Sequence, residues 1–242
     1  MATAEAATNV ALHELSRQMR ADILRATESA GSGHPTSSLS AVELVAVVFA
    51  RYLRYSVDAP DYVGNDRFVL SKGHATPLLY AALKAIGAID DQELLTYRDA
   101  GSRLEGHPTP RLPWVDAATG SLGQGLPIGV GMALAARMDG RQTRTFVLCG
   151  DSEMAEGSVW EAAEHAGHAR LGGLVALVDV NRLGQRGPTR HGWDLSAYAR
   201  RFDAFGWSTV EVGDGHDLEA IDRALDRAVE DEDRPTAVLA RT

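Results

Sequence analysis

Thr145-Phe146-Val147-Leu148-Cys149-Gly150-Asp151 is an apolar run that ends on an acid, and Leu174-Val175-Ala176-Leu177-Val178-Asp179-Val180-Asn181 is a second run that ends on an amide. Between them, Met154 to Arg170 places Val159, Ala163, Ala166 and Ala169 on one face at helical spacing. Strand, helix and strand in this order give two parallel strands whose carboxyl ends share one edge of a sheet. Asp151 and Asn181 then stand side by side there. Two hard oxygen ligands of this kind suit Mg²⁺, whose remaining positions are filled by phosphate oxygens. Gly150-Asp151-Ser152-Glu153 opens the helix, so backbone N–H groups and the helix dipole favour a diphosphate at that point. The Leu183 carbonyl would add a third ligand. A plainer reading, in which Asp151 caps the helix and Asn181 makes a turn, is equally compatible with the spacing.

Working outward, Leu12, Leu15, Met19 and Ile23 predict a helix over 9–29 that stops at Gly31-Ser32-Gly33. Ser40 and Glu43 have the spacing of a capping box for a second helix carrying Leu44, Val45, Val47 and Val48. Arg67 to Ser71 reads as a short buried strand, Ser71-Lys72-Gly73-His74 as a loop, and Pro77 to Ile86 as a helix. Residues 97–127 are irregular and rich in Gly and Pro, and a loop this long usually carries function. Gly125 to Met138 is a helix of small residues suited to close packing. A helix near 193–205, a strand Thr209 to Val212, a helix over 217–230 and a strand Thr236 to Ala240 complete the alternation. The expectation is an α/β fold: one doubly wound parallel sheet with helices on both faces, spanning 1–242 as a single domain.

Composition narrows the function. Among 242 residues, 45% are hydrophobic and the formal charge is -9, which supports a buried core and argues against nucleic acid as a partner. The single cysteine, Cys149, lies in an apolar run and reads as a buried thiol with no intrachain disulfide. The first residues lack a secretory pattern, and no apolar stretch approaches the roughly 20 residues needed to span a bilayer, so a cytoplasmic protein without membrane contact is expected. Gly123-x-Gly125-x-x-x-Gly129 has the wrong spacing for a dinucleotide loop and follows no strand.

Histidines recur in Gly/Pro-flanked loops at His34, His74 and His107. His165 and His168 share a helix at a spacing of three and read as surface residues; His13 and His216 read likewise. His191 follows the loop after Asn181 and could approach the site.

Five segments, in order, closely resemble the transketolase family. They are Gly31-Ser32-Gly33-His34-Pro35, Asp66 to Ala75, Glu105-Gly106-His107-Pro108, Thr119-Gly120-Ser121-Leu122-Gly123-Gln124-Gly125, and Asp151 to Ala162 followed by Asp179 to Gln185. The resemblance covers nearly the whole chain. It implies the thiamine-diphosphate-binding fold of the type that receives the diphosphate. It further implies Asp151, Asn181 and Leu183 as ligands of Mg²⁺ (or Ca²⁺ or Mn²⁺). His74, Leu122, Gly123, Gly150, Asp151, Ser152, Asn181 and Gln185 would surround the cofactor. His34, His74 and His107 would act on the sugar, and Lys72 would orient His74. Two positions depart from the family pattern: Ser152 replaces a usual glycine, which diphosphate binding tolerates if its φ is negative, and Arg182 replaces a frequent second asparagine.

The resemblance also implies ketol transfer from a ketose or ketose phosphate to an aldehyde acceptor. A transketolase needs a pyrimidine-binding domain, and this sequence contains none. The chain is therefore expected to be the N-terminal subunit of a split transketolase, or else a fragment. In the first case it would pair with a separate C-terminal subunit to form a homodimer of heterodimers, through an apolar surface along 125–138 and 154–170. A deoxyxylulose-phosphate synthase fits the Asp179 to Gln185 string and the Ser71 to His74 loop less well. Two alternatives remain: a transketolase-like chain that serves an unusual acceptor in a specialised pathway, and a non-catalytic regulatory subunit.

Overall fold

Strand residues alternate between two hydrophobic clusters, and that alternation defines the architecture. Phe146 and Leu148 point into one cluster, Val147 and Cys149 into the other. Both faces of the sheet are therefore covered, as an all-parallel sheet requires. The structure is a computed structural model and describes the backbone of residues 2–242 and the side chains of residues 10–242.

The elements run α1 (Ala2–Ala30), α2 (Pro35–Leu39), α3 (Val42–Val47), β1 (Arg67–Leu70), α4 (Thr76–Ala85), α5 (Asp91–Leu94), α6 (Gly125–Met138), β2 (Thr145–Gly150), α7 (Gly157–His168), β3 (Leu174–Val180), β4 (Leu183–Gly184), β5 (Gly187–Pro188), α8 (Leu195–Ala204), β6 (Ser208–Val212), α9 (Leu218–Glu230) and β7 (Thr236–Arg241). Five strands form one parallel sheet in the order β1-β2-β3-β7-β6, and β4 and β5 form a small antiparallel hairpin. Helices α1, α3, α4 and α9 build the core on one face; α6, α7 and α8 build it on the other. The α/β doubly wound sheet read from the sequence is the observed fold.

Helix α6 lies unusually close to the sheet. A Cβ added at Gly129 would sit 2.4 Å from Val147 Cγ2, and one at Gly125 would sit 2.3 Å from Ser71 Cβ. Only glycine permits that approach.

Several expectations need correction. Ser40 and Glu43 form no capping box: Ala41 is the N-cap of α3. Ser40 Oγ instead donates to Asp179 Oδ2 at 2.6 Å, and Glu43 accepts from Arg20 at 2.7 Å. The helix expected over 154–170 is a 3₁₀ turn, Asp151–Ala155, followed by Gly157–His168. The expected apolar interface is also only half present. Helix α6 exposes Met138 and leaves Ile128, Met132 and Leu134 partly covered, but the outer side of α7 carries Glu161, Glu164, His165 and His168. Among the described residues no helix is long and apolar enough to cross a membrane.

Candidate functional site

The parallel register of β2 and β3 pairs Gly150 with Asp179, so Asp151 and Asn181 emerge at the same sheet edge. Asp151 is 3% exposed. Its Oδ2 accepts the Arg182 N–H at 2.9 Å and the Thr189 hydroxyl at 2.7 Å. Its Oδ1 is buried and has no hydrogen-bond partner. Burial pushes the carboxyl pKa up to about 6, against the lowering effect of those donors. Asp151 is thus no helix cap, since Gly150 takes that position at the start of the 3₁₀ turn.

Asn181 is held from both ends of its amide. Nδ2 donates to Asp179 Oδ2 at 3.0 Å, and Oδ1 accepts the Leu183 N–H at 2.9 Å. One lone pair of Oδ1 stays available. A bare buried carboxylate oxygen beside a neutral amide oxygen fits a hard divalent cation. Among the described residues no three His, Cys, Asp or Glu side chains converge as a metal cluster. A cation here would keep open positions for phosphate oxygens. Ser152 is absent from the residues with positive φ, so the condition on its replacing glycine is met. Arg182 has φ +60°, which explains why asparagine suits that position.

Lys72, on the loop after β1, is 1% exposed and pairs with Asp179, which is fully buried in β3. Asp179 also accepts from Ser40, Asn181 and Thr242. Burial raises the Asp179 pKa, but Lys72 and the hydroxyl donors outweigh it and hold the carboxyl below its ordinary range. Next to this hub, His74 Nε2 is 2.7 Å from Ser37 Oγ, and its ring lies 5.3 Å from that of His34 in an edge-to-face pair. Burial, then the charges of Lys72, His34 and His107, pulls the His74 pKa down to about 4. Burial and Arg98 lower that of His107. The His107 ring packs on Gly120, where an added Cβ would be 3.0 Å away. The three loop histidines therefore gather in one region, and His74 is neutral near pH 7.

Glu153 links the two halves. Its Oε1 accepts from Ser71 Oγ at 2.6 Å and from the Gly123 N–H at 2.8 Å, and its Oε2 accepts from the Gly150 N–H at 2.9 Å. Gly123 has φ +83°, and a Cβ there would meet Glu156 Cβ at 2.6 Å. A cleft of about 850 Å³ opens beside the turn, lined by Leu122, Asp151, Ser152 and Gln185 together with Trp160 and Arg201. The histidines His34, His74 and His107 do not line it. The side chain of Leu183 is exposed on the hairpin.

Sequence reading did not single out Asp179, Ser37, Ser40, Glu153 or Thr189 for the site. Asp179 carried a signal, an acid within an otherwise apolar strand; the hydroxyls carried none. The weaker histidines stand apart: His191 contacts Arg201 at 2.8 Å and His216 contacts Glu43 at 2.9 Å.

A parallel α/β sheet with an unpaired carboxylate oxygen, a helical-turn start and neutral imidazoles at its carboxyl edge defines a diphosphate-cofactor-binding domain. Residues 12–242 match the family described as transketolase, thiamine diphosphate binding domain, and the chain belongs to that family. It is 50% identical over 244 residues to transketolase-like protein 2 of Bos taurus, covering 100% of this chain and 38% of that relative's length. It is 39% identical over 210 residues to one of the separately encoded subunits of the apulose-4-phosphate transketolase of Phocaeicola vulgatus, covering 87% of this chain and 74% of that one. A crystal structure of a Pichia stipitis transketolase variant superposes with a TM-score of 0.90 at 34% identity, covering 96% of this chain and 36% of the other.

Proposed function

We propose that this chain is the cofactor-binding subunit of a two-component transketolase. It would transfer a ketol unit from a ketose or its phosphate to an aldehyde, with thiamine diphosphate and Mg²⁺. The observation that carries this reading is the buried, unpartnered Oδ1 of Asp151 at the start of the diphosphate-binding turn. The likeness to a protein named as one subunit of a transketolase, over 74% of its length, supports the two-component arrangement.

Thiamine diphosphate, when bound, supplies an electron sink for breaking and remaking a carbon–carbon bond beside a carbonyl. Asp151, Asn181 and the Leu183 carbonyl would hold the cation. Backbone N–H groups at Gly150 and Ser152 would receive the diphosphate, with Gln185 ordering the loop and Leu122 and Gly123 walling the cofactor. His34 and His107 would bind oxygens of the donor sugar. His74, neutral and fixed by Ser37, would stand ready to accept a proton near the reacting carbons. Lys72 and Asp179 would hold that loop against the cation loop. The pyrimidine-binding domain would come from a separate chain, closing the site at an interface within a homodimer of heterodimers. The relative named for apulose 4-phosphate also supports a more specialised reading, transfer involving an uncommon sugar.

The test is to isolate the partner by affinity capture, reconstitute the complex and assay ketol transfer. Calorimetry then compares cofactor affinity with and without Mg²⁺. Cofactor affinity that is unchanged in Asp151→Ala would defeat the assignment.

A further inference from the structure

The segment 182–193 leaves β3 at Arg182 and rejoins the helical layer at Trp193, just before α8. Its base is tied together: the Arg182 carbonyl accepts the Thr189 N–H at 2.9 Å, and both residues donate to Asp151 Oδ2. Arg182 sits at φ +60°. A long side chain adopts that backbone only when its surroundings hold it there. Trp193 provides the hold. The guanidinium carbon of Arg182 lies 4.0 Å from the indole centroid, and that of Arg241 lies 4.3 Å from it. The indole Nε1 donates to the Thr242 carbonyl at 3.2 Å. Among the described residues neither Arg182 nor Arg241 takes part in an ion pair, so the ring is the group that both cations meet. Thr242 in turn donates through its hydroxyl to Asp179. The two ends of the loop are thus stapled to each other and to the end of β7.

We propose that Trp193 is a positioning residue for the cation and diphosphate site. By stacking on Arg182 it keeps the turn in the conformation that sets Asn181 and Leu183 around Asp151. This rests on reading those three residues as the cation site. Without the ring, the strained turn relaxes, Asp151 loses the Arg182 N–H, and the ligand set must be reassembled on binding. That cost appears as weaker affinity with no lost contact to the cofactor.

The experiment uses the full-length protein with any chain needed to complete its site. In the cofactor-free state, hydrogen exchange at the Arg182 and Thr189 amides should quicken about tenfold in Trp193→Ala and stay near wild type in Trp193→Phe, which keeps the ring face. Arg241→Met, whose backbone pairing is untouched, should give an intermediate rise. Calorimetry with thiamine diphosphate and Mg²⁺ should show affinity about tenfold weaker in Trp193→Ala and within threefold of wild type in Trp193→Phe. Wild-type exchange and affinity in Trp193→Ala overturn the proposal; if that variant does not fold, wild-type exchange in Arg241→Met does so. A wild-type protein that binds no cofactor defeats the reading of the cation site, while the exchange comparison still decides the staple.

Discussion

The ammonium of Lys72 and the carboxylate of Asp179 form an ion pair in which the two side chains are 1% and 0% exposed. One comes from the loop after β1, the other from the end of β3, and β2 lies between those strands. The pair therefore bridges the strand that carries Asp151. Losing one partner leaves an uncompensated charge in the core, which costs about 3–5 kcal/mol. Lys72→Met and Asp179→Asn are each expected to lower unfolding free energy by that order in urea titrations. The double variant should recover most of the loss, because a neutral pair has no stranded charge. Additive losses would show that the two residues do not act as a unit.

His74 makes the fold acid-sensitive. Its pKa in the folded chain, about 4, lies below the ordinary 6.5 because the ring is largely buried and faces Lys72. The folded state therefore resists protonation. Stability from this residue is complete above pH 6.5 and is lost as pH falls from 6.5 toward 4. After allowance for solvent screening the effect is on the order of 1–2 kcal/mol. His74→Gln should flatten the pH dependence of unfolding in that window, and an unaltered profile would contradict the assignment.

Asp151 trades stability for binding. Its Oδ1 is buried without a donor, a cost the cofactor-free chain carries. Asp151→Asn retains an acceptor for Arg182 and Thr189 and removes the charge. The cofactor-free variant should be more stable by about 1 kcal/mol, a rise in Tm of about 2–4 °C. Its affinity for thiamine diphosphate with Mg²⁺ should fall at least about tenfold. Thermal melts and calorimetry on the same preparation test both halves together.

Arg170 ends α7 at φ +51°, with its N–H on the Gly167 carbonyl and the Leu171 N–H on the Ala166 carbonyl. That is a helix stop which glycine occupies without strain. Arg170 is exposed. Arg170→Gly should therefore stabilise the chain by about 0.5–1 kcal/mol, read as a shifted denaturation midpoint with unchanged slope.

Helix α7 and the 97–127 loop show how sequence and structure divide the work. Alternating strands and helical faces announced themselves because burial repeats with a period of two or 3.6 residues, and each element needs only its own residues to show it. The loop histidines were visible as motifs, and Asp151 and Asn181 as the ends of apolar runs. The break at Glu156 between the 3₁₀ turn and α7 was not visible, because Glu153 turns back to Gly150 while also bonding Ser71 and Gly123, which are distant in the chain. Ser40 has the spacing of a helix cap, but Asp179, 139 residues away, claims its hydroxyl.

The sequence by itself determined a doubly wound parallel sheet and put an acid and an amide at its carboxyl edge, since hydrophobic period and chain order suffice for that. Only the tertiary structure decided that Asp151 keeps one bare oxygen, that His74 is neutral, and that Asp179 gathers Lys72, Ser40, Asn181 and Thr242. Those properties come from desolvation and from partners brought together across the chain, and neither can be read from local order.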